Sequence, residues 1–522
     1  MLRPLNIAVV ALFVAAISPV LLVALPAMPD YLNHLARMHV LAAAGTPDAN
    51  PFYEVRTALY PNLAMDLLVP PLGRLIGVEL AGKVFVIATQ LLIVTGAIAL
   101  ELTVKRRHAL AGLSAVMVLY SFPFAWGFLN FQFGLGIALW GLAAWQYLRP
   151  RSLGACLASH TLFVAALYLA HLFALGLYAV ILGFIELAHI RRNRLDEAVK
   201  RFAVLGTPML VALVAVLAPT DRVGNGETEW EAASKLRSVF RAMNGYSVEV
   251  GAIEAAVLIG AFYILFRTGR LSLTRTGLWL FGGLLLVFLA TPYRVLGTAY
   301  VDVRVPVVML LVLPAFTSVS MTRLAARVAA VVPIGIAFVN VAMTVAIWRD
   351  YQDDFGKLRS SFGLLDRPSL VLVGRSADGP EQRREHPMHH APTLAVTANA
   401  MVTMLYALPG MQPISVVKEH RDQAITDIIY YSPVPLSLLT RLAGAEDERA
   451  PRFVRRWTRE FGYLYLVGPR IQNPFPDLLD ELAGGEQFAL YRIRSGKSAS
   501  TGNDLGHVPP MARPSVSAQS VQ

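Results

Sequence analysis

The chain has almost no cysteine and none of the common zinc-binding patterns. Cys156 is the one cysteine among 522 residues, so no disulfide can form within the chain. Neither CxxC nor HExxH occurs, which excludes the usual zinc-finger and zincin patterns. Because Cys156 lies in an apolar segment, we expect it to be a small packing residue.

Charged residues are also scarce, and most of the chain is apolar. They make up 16% of the sequence, against 55% hydrophobic residues, and the mean hydropathy is +0.53. Soluble domains rarely have this composition. Up to Asp350 the apolar residues form runs close to the ~20 residues that cross a bilayer. The run from Leu5 to Leu25 exceeds the apolar part of a signal peptide, so we interpret it as a retained first transmembrane helix.

The net charge of +11 does not indicate a nucleic-acid partner. From Asp350 onward the chain contains 19 Lys or Arg and 19 Asp or Glu residues, so this part is neutral. The excess, 27 basic against 16 acidic residues, lies before Asp350, mainly in short loops that fall on one face. This distribution is the positive-inside pattern of a membrane protein. We therefore expect the chain to bind no nucleic acid.

The hydrophobic runs predict about 11 transmembrane helices. The predicted segments are 5–26, 78–103, 108–124, 127–148, 152–169, 171–190, 201–218, 251–266, 273–292, 304–320 and 325–348. The basic loops place the N-terminus in the cytoplasm, and an odd number of crossings then places the C-terminal domain in a bacterial periplasm. The protein is thus predicted to be a multi-pass protein of the bacterial inner membrane. A long first outer loop, 27–77, separates the first two crossings, and we expect a helix in it over Tyr31–Ala44.

The chain changes character after residue 349. Strand-like runs at 369–373, 413–417, 463–467 and 488–493 predict a C-terminal extracytoplasmic α/β domain over 350–494. Residues 495–522 are rich in Ser, Pro and Gly, which predicts a disordered tail. The predicted fold class is an all-α polytopic membrane domain, 1–349, followed by this α/β domain. We interpret His386, His389 and His390 as a surface cluster, since no matching Cys or acidic ligand accompanies them.

The first outer loop contains the leading candidate for a catalytic centre. On a helix, Asp30, His34 and Arg37 project along one face, because steps of four and three residues return to nearly the same angle. A carboxylate can accept a hydroxyl proton or hold a divalent cation, and a histidine can support it or bind phosphate. An arginine matches the oxygens of a phosphate with two parallel bonds. The alternative is that Asp30 only caps the helix that follows Pro29.

Polar residues among aromatic ones indicate a binding surface near the outer interface. Asn130 and Gln132 open the fourth predicted crossing within the aromatic run 126–133. Amides of this kind can bind sugar hydroxyls, while the rings stack on a sugar or flank a prenyl chain. An interfacial aromatic belt fits the same pattern. His171 interrupts a long apolar stretch, where an ionisable side chain is a functional candidate, although a histidine at an outer turn is the alternative.

Arg294 and Arg304 surround the last outer loop. Two arginines at this position can hold the phosphate of a lipid carrier that enters from the outer leaflet. Alternatively, Asp302 pairs with Arg304, or these charges contact lipid headgroups.

These features together resemble the C superfamily of integral membrane glycosyltransferases, the GT-C fold, over about residues 1–350. Relatives of this kind include protein O-mannosyltransferases and aminoarabinose transferases. The resemblance rests on the cytoplasmic N-terminus, the long outer loop with Asp30 at its start, and the predicted helix 61–77 leading into the second crossing. The number of crossings and the outer C-terminal domain complete it.

The resemblance implies an enzyme that moves a hexosyl or pentosyl group from a polyprenyl-phosphate donor in the membrane. The acceptor would be a glycan, a lipid or a protein at the outer face of the inner membrane. By this resemblance Asp30 is the base, and we expect His34 to support it. We further expect Arg37, Arg294 and Arg304 to contact the donor phosphate, and Asn130, Gln132 and His171 to bind the sugar or acceptor.

The resemblance leaves cofactor use open. Many members have two adjacent acidic residues in the first outer loop, whereas Tyr31 follows Asp30 here. A divalent cation, Mg²⁺ or Mn²⁺, would have Asp30 as its ligand if one is used. Two other functions stay open: a non-catalytic component of a polysaccharide synthesis or export assembly, and a lipid or solute transporter. The predicted crossings contain few charges and no internal repeat, which disfavours the transporter.

Overall fold

The computed structural model describes most of the chain. The described residues are 4–56, 60–106, 111–191, 193–217, 227–295, 297–320, 323–376, 387–425, 432–444 and 447–494. The predicted disordered tail, 495–522, and His386 lie outside them.

Helices make up most of this structure, and the strands are short. In chain order the helices are α1 (Pro4–Leu22), α2 (Pro29–Ala43), α3 (Ala64–Ile76), α4 (Val78–Lys105), α5 (Ala111–Met117), α6 (Phe122–Trp126), α7 (Leu129–Leu148), α8 (Leu153–Ala170), α9 (Leu172–Ala188), α10 (Leu195–Leu217), α11 (Ala232–Met243), α12 (Val248–Arg267), α13 (Arg275–Ala290), α14 (Arg304–Val312), α15 (Arg323–Asp350), α16 (Gln352–Ser361), α17 (Leu436–Gly444) and α18 (Trp457–Glu460). The strands are β1 (Tyr53–Val55), β2 (Leu271–Leu273), β3 (Thr317–Val319), β4 (Ser369–Arg375), β5 (Ala400–Val402), β6 (Ile414–Val416), β7 (Val434–Pro435), β8 (Tyr463–Val467), β9 (Leu479–Gly484) and β10 (Phe488–Ile493). Short 3₁₀ helices include Leu313–Phe316 and Ala391–Ala398.

The chain forms two compact units. The first comprises Met1–Tyr31, Arg56–Asp350 and Pro409–Pro413, and the second comprises Leu32–Val55, Tyr351–Leu408 and Ile414–Gln522. The sequence-based boundary at residue 349 did not anticipate that Leu32–Val55, from the first outer loop, belongs to the second unit.

The first unit is a helical membrane unit. Each predicted crossing coincides with helical structure, although the segment 108–124 contains two short helices, α5 and α6. Among the described residues, five helices are long and apolar enough to cross a membrane: Val78–Lys105, Leu153–Ala170, Leu195–Leu217, Val248–Arg267 and Ala330–Leu364. Shorter apolar helices are Val10–Leu22, Leu172–Ala188, Arg275–Ala290 and Arg304–Phe316. The chain is therefore a membrane protein, and eleven crossings stay a prediction.

The most extensive helix packing among the described residues of the first unit lies between α4 and α7. A Cβ on Gly96 would lie 2.8 Å from Leu139 Cβ, and one on Gly136 would lie 2.7 Å from Leu92 Cβ. Glycine at these two positions lets the helix backbones approach, as small residues do at helix interfaces within membranes. This contact fixes α7, whose first turn carries Asn130 and Gln132.

Other helices of the first unit expose apolar side chains. On α10 the exposed fractions of Leu210 and Val211 are 62% and 66%, and on α12 those of Ile253 and Ile259 are 66% and 62%. Such surfaces are stable against lipid and would be unfavourable in water. They agree with the predicted membrane environment.

The second unit is built on a mixed sheet in the order β5-β4-β8-β10-β9, with β7 also paired to β4. Strand β4 runs parallel to β5, β7 and β8, whereas β10 runs antiparallel to β8 and β9. Every residue of β8 is buried, as expected for a central strand rich in apolar side chains. The predicted C-terminal sheet is confirmed. The predicted strand 413–417 instead forms β6, which pairs with β1 in a separate sheet.

Candidate functional site

Helix α2 places Asp30 in its first turn. Pro29 is the first helical residue, which suits proline because its fixed φ is already helical and its missing N–H is not needed there. The helix ends before Gly45, whose φ of +78° is readily adopted only by glycine. Asp30 thus lies at the positive end of the helix dipole, which favours an ionised carboxylate.

Asp30 lies close to the loop before α7. Gly127 has a φ of +102°, and a Cβ on it would lie 2.7 Å from the backbone nitrogen of Tyr31 and 3.2 Å from Asp30 Cβ. Any larger residue at this position would displace the start of α2. Gly127 therefore brings the aromatic run of α7 next to Asp30.

Arg304 is a buried cation in a cluster of phenylalanine rings. It begins α14, and only 5% of its surface is exposed. Its guanidinium carbon lies 4.7 Å from the ring centroid of Phe128, 5.2 Å from that of Phe131 and 5.4 Å from that of Phe173. Within the described part of the chain, its Nε has no hydrogen-bond partner. An unsatisfied buried donor of this kind favours binding of an anion.

The structure brings Asp30 and Arg304 together. Their side chains interact electrostatically, the carboxylate with the guanidinium. Both residues were candidates from the sequence, in separate outer loops, but nothing in the sequence paired them. The alternative pairing of Arg304 with Asp302 is not seen, because Asp302 accepts hydrogen bonds from Ser234 and Lys235.

His171 also belongs to this group. It lies between α8 and α9, where its Nδ1 accepts a hydrogen bond from the backbone nitrogen of Phe173 at 3.1 Å. The other ring nitrogen, Nε2, must then carry the proton of the neutral ring. The His171 ring meets the edge of Phe131 at a centroid distance of 5.5 Å, and it interacts electrostatically with Arg304.

Gln132 adds a second buried donor on α7. Only 2% of its surface is exposed, and its Nε2 has no hydrogen-bond partner among the described residues. Gln132 follows Phe128 by one helical turn, so the two side chains share the face of α7 that contacts Arg304. The binding role of Gln132 stays a prediction.

Asn130, in contrast, is occupied by backbone contacts. Its Oδ1 accepts a hydrogen bond from Met65 N at 2.9 Å, and its Nδ2 donates one to Asn62 O at 2.6 Å. The Asn62 side chain in turn accepts from Leu172 N at 3.0 Å. Asn130 therefore holds the start of α3 in place, which is a structural position that the sequence did not reveal.

Arg294 also lies in a structural contact. Its backbone forms two hydrogen bonds with Glu229, at 3.0 and 3.2 Å, and its Nε lies 3.7 Å from Glu229 Oε2. These contacts tie the last outer loop to the segment before α11. The predicted phosphate contact of Arg294 gains no support from them.

His34 and Arg37 belong to the second unit. Arg37 is buried, and the His34 ring meets Tyr406 at a centroid distance of 5.5 Å. Burial, followed by the charges of Arg37 and His390, holds the pKa of His34 well below its usual value. The His34 ring is therefore neutral at pH 7 and can accept a hydrogen bond.

Three further residues around His34 were missed by the sequence analysis. Asn33 donates a hydrogen bond from Nδ2 to His390 Nδ1 at 2.9 Å, and its Oδ1 accepts one from Tyr406 N at 2.8 Å. Burial lowers the pKa of His390 to about 3, so this ring is also neutral at pH 7. The interpretation of His390 as a surface residue was wrong, because only 5% of it is exposed. Its partner Asn33 precedes it by most of the chain, so no local pattern indicates the contact.

Acidic and histidine side chains are the candidate metal ligands of the described residues. No three His, Cys, Asp or Glu side chains among them come together as a metal-binding group. Arg304 is a charged neighbour of Asp30, and use of Mg²⁺ or Mn²⁺ at Asp30 stays a prediction.

Comparisons with known proteins bear on the fold. No protein-family model matches the chain, and no curated protein matches it in sequence. A solved structure of ArnT from Cupriavidus metallidurans bound to undecaprenyl phosphate is similar, with a TM-score of 0.51 and 13% identity, over 94% of this chain and 99% of that one. The apo structure of the same protein gives 0.50 and 12% over the same shares. The predicted GT-C-like architecture is thereby confirmed.

Proposed function

We propose that the chain is an integral membrane glycosyltransferase that uses a polyprenyl-phosphate sugar as donor. It transfers the sugar to a glycan, lipid or protein acceptor at the outer face of the bacterial inner membrane. The observation that carries this proposal is the electrostatic interaction of Asp30 with Arg304, whose guanidinium lies within the phenylalanine cluster. The undecaprenyl phosphate bound to the similar ArnT structure supports a lipid carrier of this class.

Arg304 binds the donor phosphate in this proposal. A guanidinium offers two parallel N–H groups that match two phosphate oxygens, and burial strengthens that interaction. The rings of Phe128, Phe131 and Phe173 around it exclude water and provide an apolar path for the prenyl chain. His171 Nε2 and Gln132 Nε2 are further donors to the phosphate or to the sugar attached to it.

Asp30 acts as the base. With no donor bound, its carboxylate balances Arg304, and the incoming phosphate takes over that role. The freed carboxylate accepts the proton of the acceptor hydroxyl as that oxygen attacks the anomeric carbon of the sugar. The bond between this carbon and the phosphate oxygen breaks, and the polyprenyl phosphate leaves with its charge balanced by Arg304.

The remaining predicted residues take supporting parts in the proposal. His34 and Arg37 follow Asp30 by one and two turns on α2. In the proposal His34 supports the base, and Arg37 is a second contact for the donor phosphate. Asn130 positions α3, and Arg294 is a second-rank phosphate contact. A divalent cation, Mg²⁺ or Mn²⁺, stays an expectation that a chelation experiment tests. The eleven crossings, cytoplasmic N-terminus and periplasmic C-terminal domain complete the proposed topology.

The experiment is a turnover assay with the full-length protein in nanodiscs. Radiolabelled polyprenyl-phosphate pentoses and hexoses are supplied with an acceptor extract, and release of the bare carrier is measured. Transfer or donor hydrolysis by the wild type that is lost in the Arg304→Ala variant supports the proposal. The proposal is contradicted if the wild type neither binds nor turns over any donor in the panel. Co-purification with an export assembly, or gradient-dependent uptake into liposomes, would then favour the assembly component or the transporter.

A further inference from the structure

Helix α11 buries three polar side chains and exposes a leucine. Ser234 and Ser238 are each 3% exposed and Arg241 is 8% exposed, and Ala242 and Met243 are buried with them, whereas Leu236 is 62% exposed. A helix that packs on a protein core and faces water would instead expose its polar side chains and bury its leucines. An apolar outer face is stable against lipid hydrocarbon, and a buried polar face needs polar partners. Helix α11 is therefore suited to be a wall between the bilayer and a polar interior.

A buried carboxylate lies behind this wall. Asp302 is fully buried, and its Oδ2 accepts hydrogen bonds from Ser234 Oγ at 2.9 Å and from Lys235 Nζ at 3.1 Å. Its Oδ1 is also buried and has no hydrogen-bond partner within the described part of the chain. An unsatisfied buried acceptor is unfavourable, and a hydroxyl group of a ligand would satisfy it.

Aromatic rings gather around Tyr300, which precedes Asp302 by two residues in the chain. The Tyr300 ring centroid is 4.7 Å from that of Phe122, 5.1 Å from that of Trp126 and 5.3 Å from that of Tyr293. Tyr300 has a φ of +59°, a strained value for a tyrosine that the surrounding packing must hold. Aromatic faces bind the apolar C–H face of a sugar ring, while a nearby acceptor binds its hydroxyls. The pairing of rings with a carboxylate oxygen is suited to that chemistry.

The aromatic group is continuous with the Arg304 cluster. Phe128 lies 4.7 Å from the Arg304 guanidinium carbon, and its ring centroid is 6.3 Å from that of Trp126. Asp302 also precedes Arg304 by only two residues, at the start of α14. A sugar attached to a phosphate at Arg304 is therefore placed next to these rings.

We infer that Asp302 with the rings of Trp126 and Tyr300 forms the subsite for the sugar of the donor, with α11 as its lipid-facing wall. This inference rests on the proposed function, since it takes Arg304 as the phosphate site. Asp302 Oδ1 accepts a hydrogen bond from a sugar hydroxyl, and Lys235 balances the charge of the carboxylate. The subsite determines which donor sugar the protein binds, while Arg304 recognises the phosphate that every donor shares.

The test compares two ligand classes on the full-length protein in nanodiscs. The probes are undecaprenyl phosphate and a panel of undecaprenyl-phosphate pentoses and hexoses. The wild type is expected to bind at least one sugar-bearing carrier more tightly than the bare carrier. Asp302→Asn reduces that preference by roughly five- to tenfold, as expected when a charged hydrogen-bond acceptor becomes a neutral amide, and leaves affinity for the bare carrier unchanged.

Two further variants keep the test decisive. Trp126→Leu leaves the Asp302–Lys235 pair intact and is expected to lower the same preference, so a folding defect in Asp302→Asn cannot imitate the result. Glu186→Gln is the matched control, because Glu186 is a buried carboxylate paired with Arg149 at 2.8 Å near the opposite end of α9 from His171. An unchanged preference in both Asp302→Asn and Trp126→Leu, or no preference for any sugar in the wild type, overturns the subsite. If the wild type does not bind the bare carrier, the proposed function is overturned instead.

Discussion

The carboxylate of Asp30 interacts with the guanidinium of Arg304, although the two residues lie at opposite ends of the first unit's sequence. A different local structure positions each charge. Pro29 starts the helix that carries Asp30, and three phenylalanine rings surround Arg304. A phosphate can replace the carboxylate as the partner of Arg304, which links donor binding to release of the base. This exchange leads to the predictions that follow.

Arg304→Ala should weaken binding of undecaprenyl phosphate by roughly 10- to 100-fold, because one charge-assisted hydrogen-bonding group is worth about 1.5–3 kcal/mol. Arg304→Lys should recover part of this affinity, since lysine keeps the charge but loses the two parallel N–H groups. Binding to nanodiscs gives both dissociation constants. Arg470→Ala is the control, because Arg470 is an exposed residue paired with Glu481. Equal affinity for Arg304→Ala and wild type would exclude Arg304 as the phosphate site.

Gln132→Met should separate stability from binding. The replacement has a similar volume and removes a buried Nε2 that lacks a partner, so the melting temperature should stay equal or rise. Affinity for the carrier should fall by roughly two- to tenfold, the range for one hydrogen bond. Thermal unfolding and carrier binding are measured on the same preparation. A lower melting temperature with unchanged affinity would show that Gln132 is a packing residue.

Asn130→Ala should behave in the opposite way. Loss of the contacts with Met65 and Asn62 should destabilise the protein by about 1–3 kcal/mol. The KM for the acceptor in the protein that remains folded should not change. Asn130→Asp keeps the acceptor for Met65 N and should restore part of the stability. A raised KM at unchanged stability would return Asn130 to the acceptor-binding role that the sequence suggested.

The stability of the second unit should fall as the pH is lowered below about 6.5, the usual pKa of a histidine. The pKa of His390 is lowered to about 3 in the folded state, so between these values the unfolded chain binds a proton that the folded chain does not. Stability is therefore complete above the higher value and is lost at up to about 1.4 kcal/mol per pH unit below it. His34, with its pKa also lowered, contributes in the same direction, and Arg37 and Tyr406 are its neighbours.

His390→Asn provides the check on this pH dependence. Asparagine keeps an acceptor for Asn33 and has no titrating ring, so the loss of stability between pH 6 and pH 4 should become shallower. Hydrogen exchange of peptides that cover β5, in the full-length protein, reports the opening free energy at each pH. The same slope in variant and wild type would show that His390 does not govern the acid sensitivity.

The sequence predicted the helices of the membrane unit well, because their apolar runs are long and physically unambiguous. It also predicted the α2 helix and the sheet of the second unit, and it identified Asp30 and Arg304 as candidates. It did not predict their pairing, since a contact between distant loops depends on how α7 and α14 pack. The misplacement of His390 has the same cause, because its hydrogen-bond partner Asn33 lies far away in the chain. The sequence also singled out Asn130 as a binding residue, but its side-chain amide forms hydrogen bonds with the backbone at the start of α3.

The most direct measurement is release of polyprenyl phosphate from a radiolabelled donor by wild type, Asp30→Asn and Arg304→Ala in nanodiscs, each with and without a chelator. We expect Asp30→Asn to keep carrier binding and lose turnover by roughly 10²- to 10⁴-fold, the usual contribution of a general base. Arg304→Ala should lose both binding and turnover. Full turnover by Asp30→Asn, with the protein folded and inserted, would contradict the account.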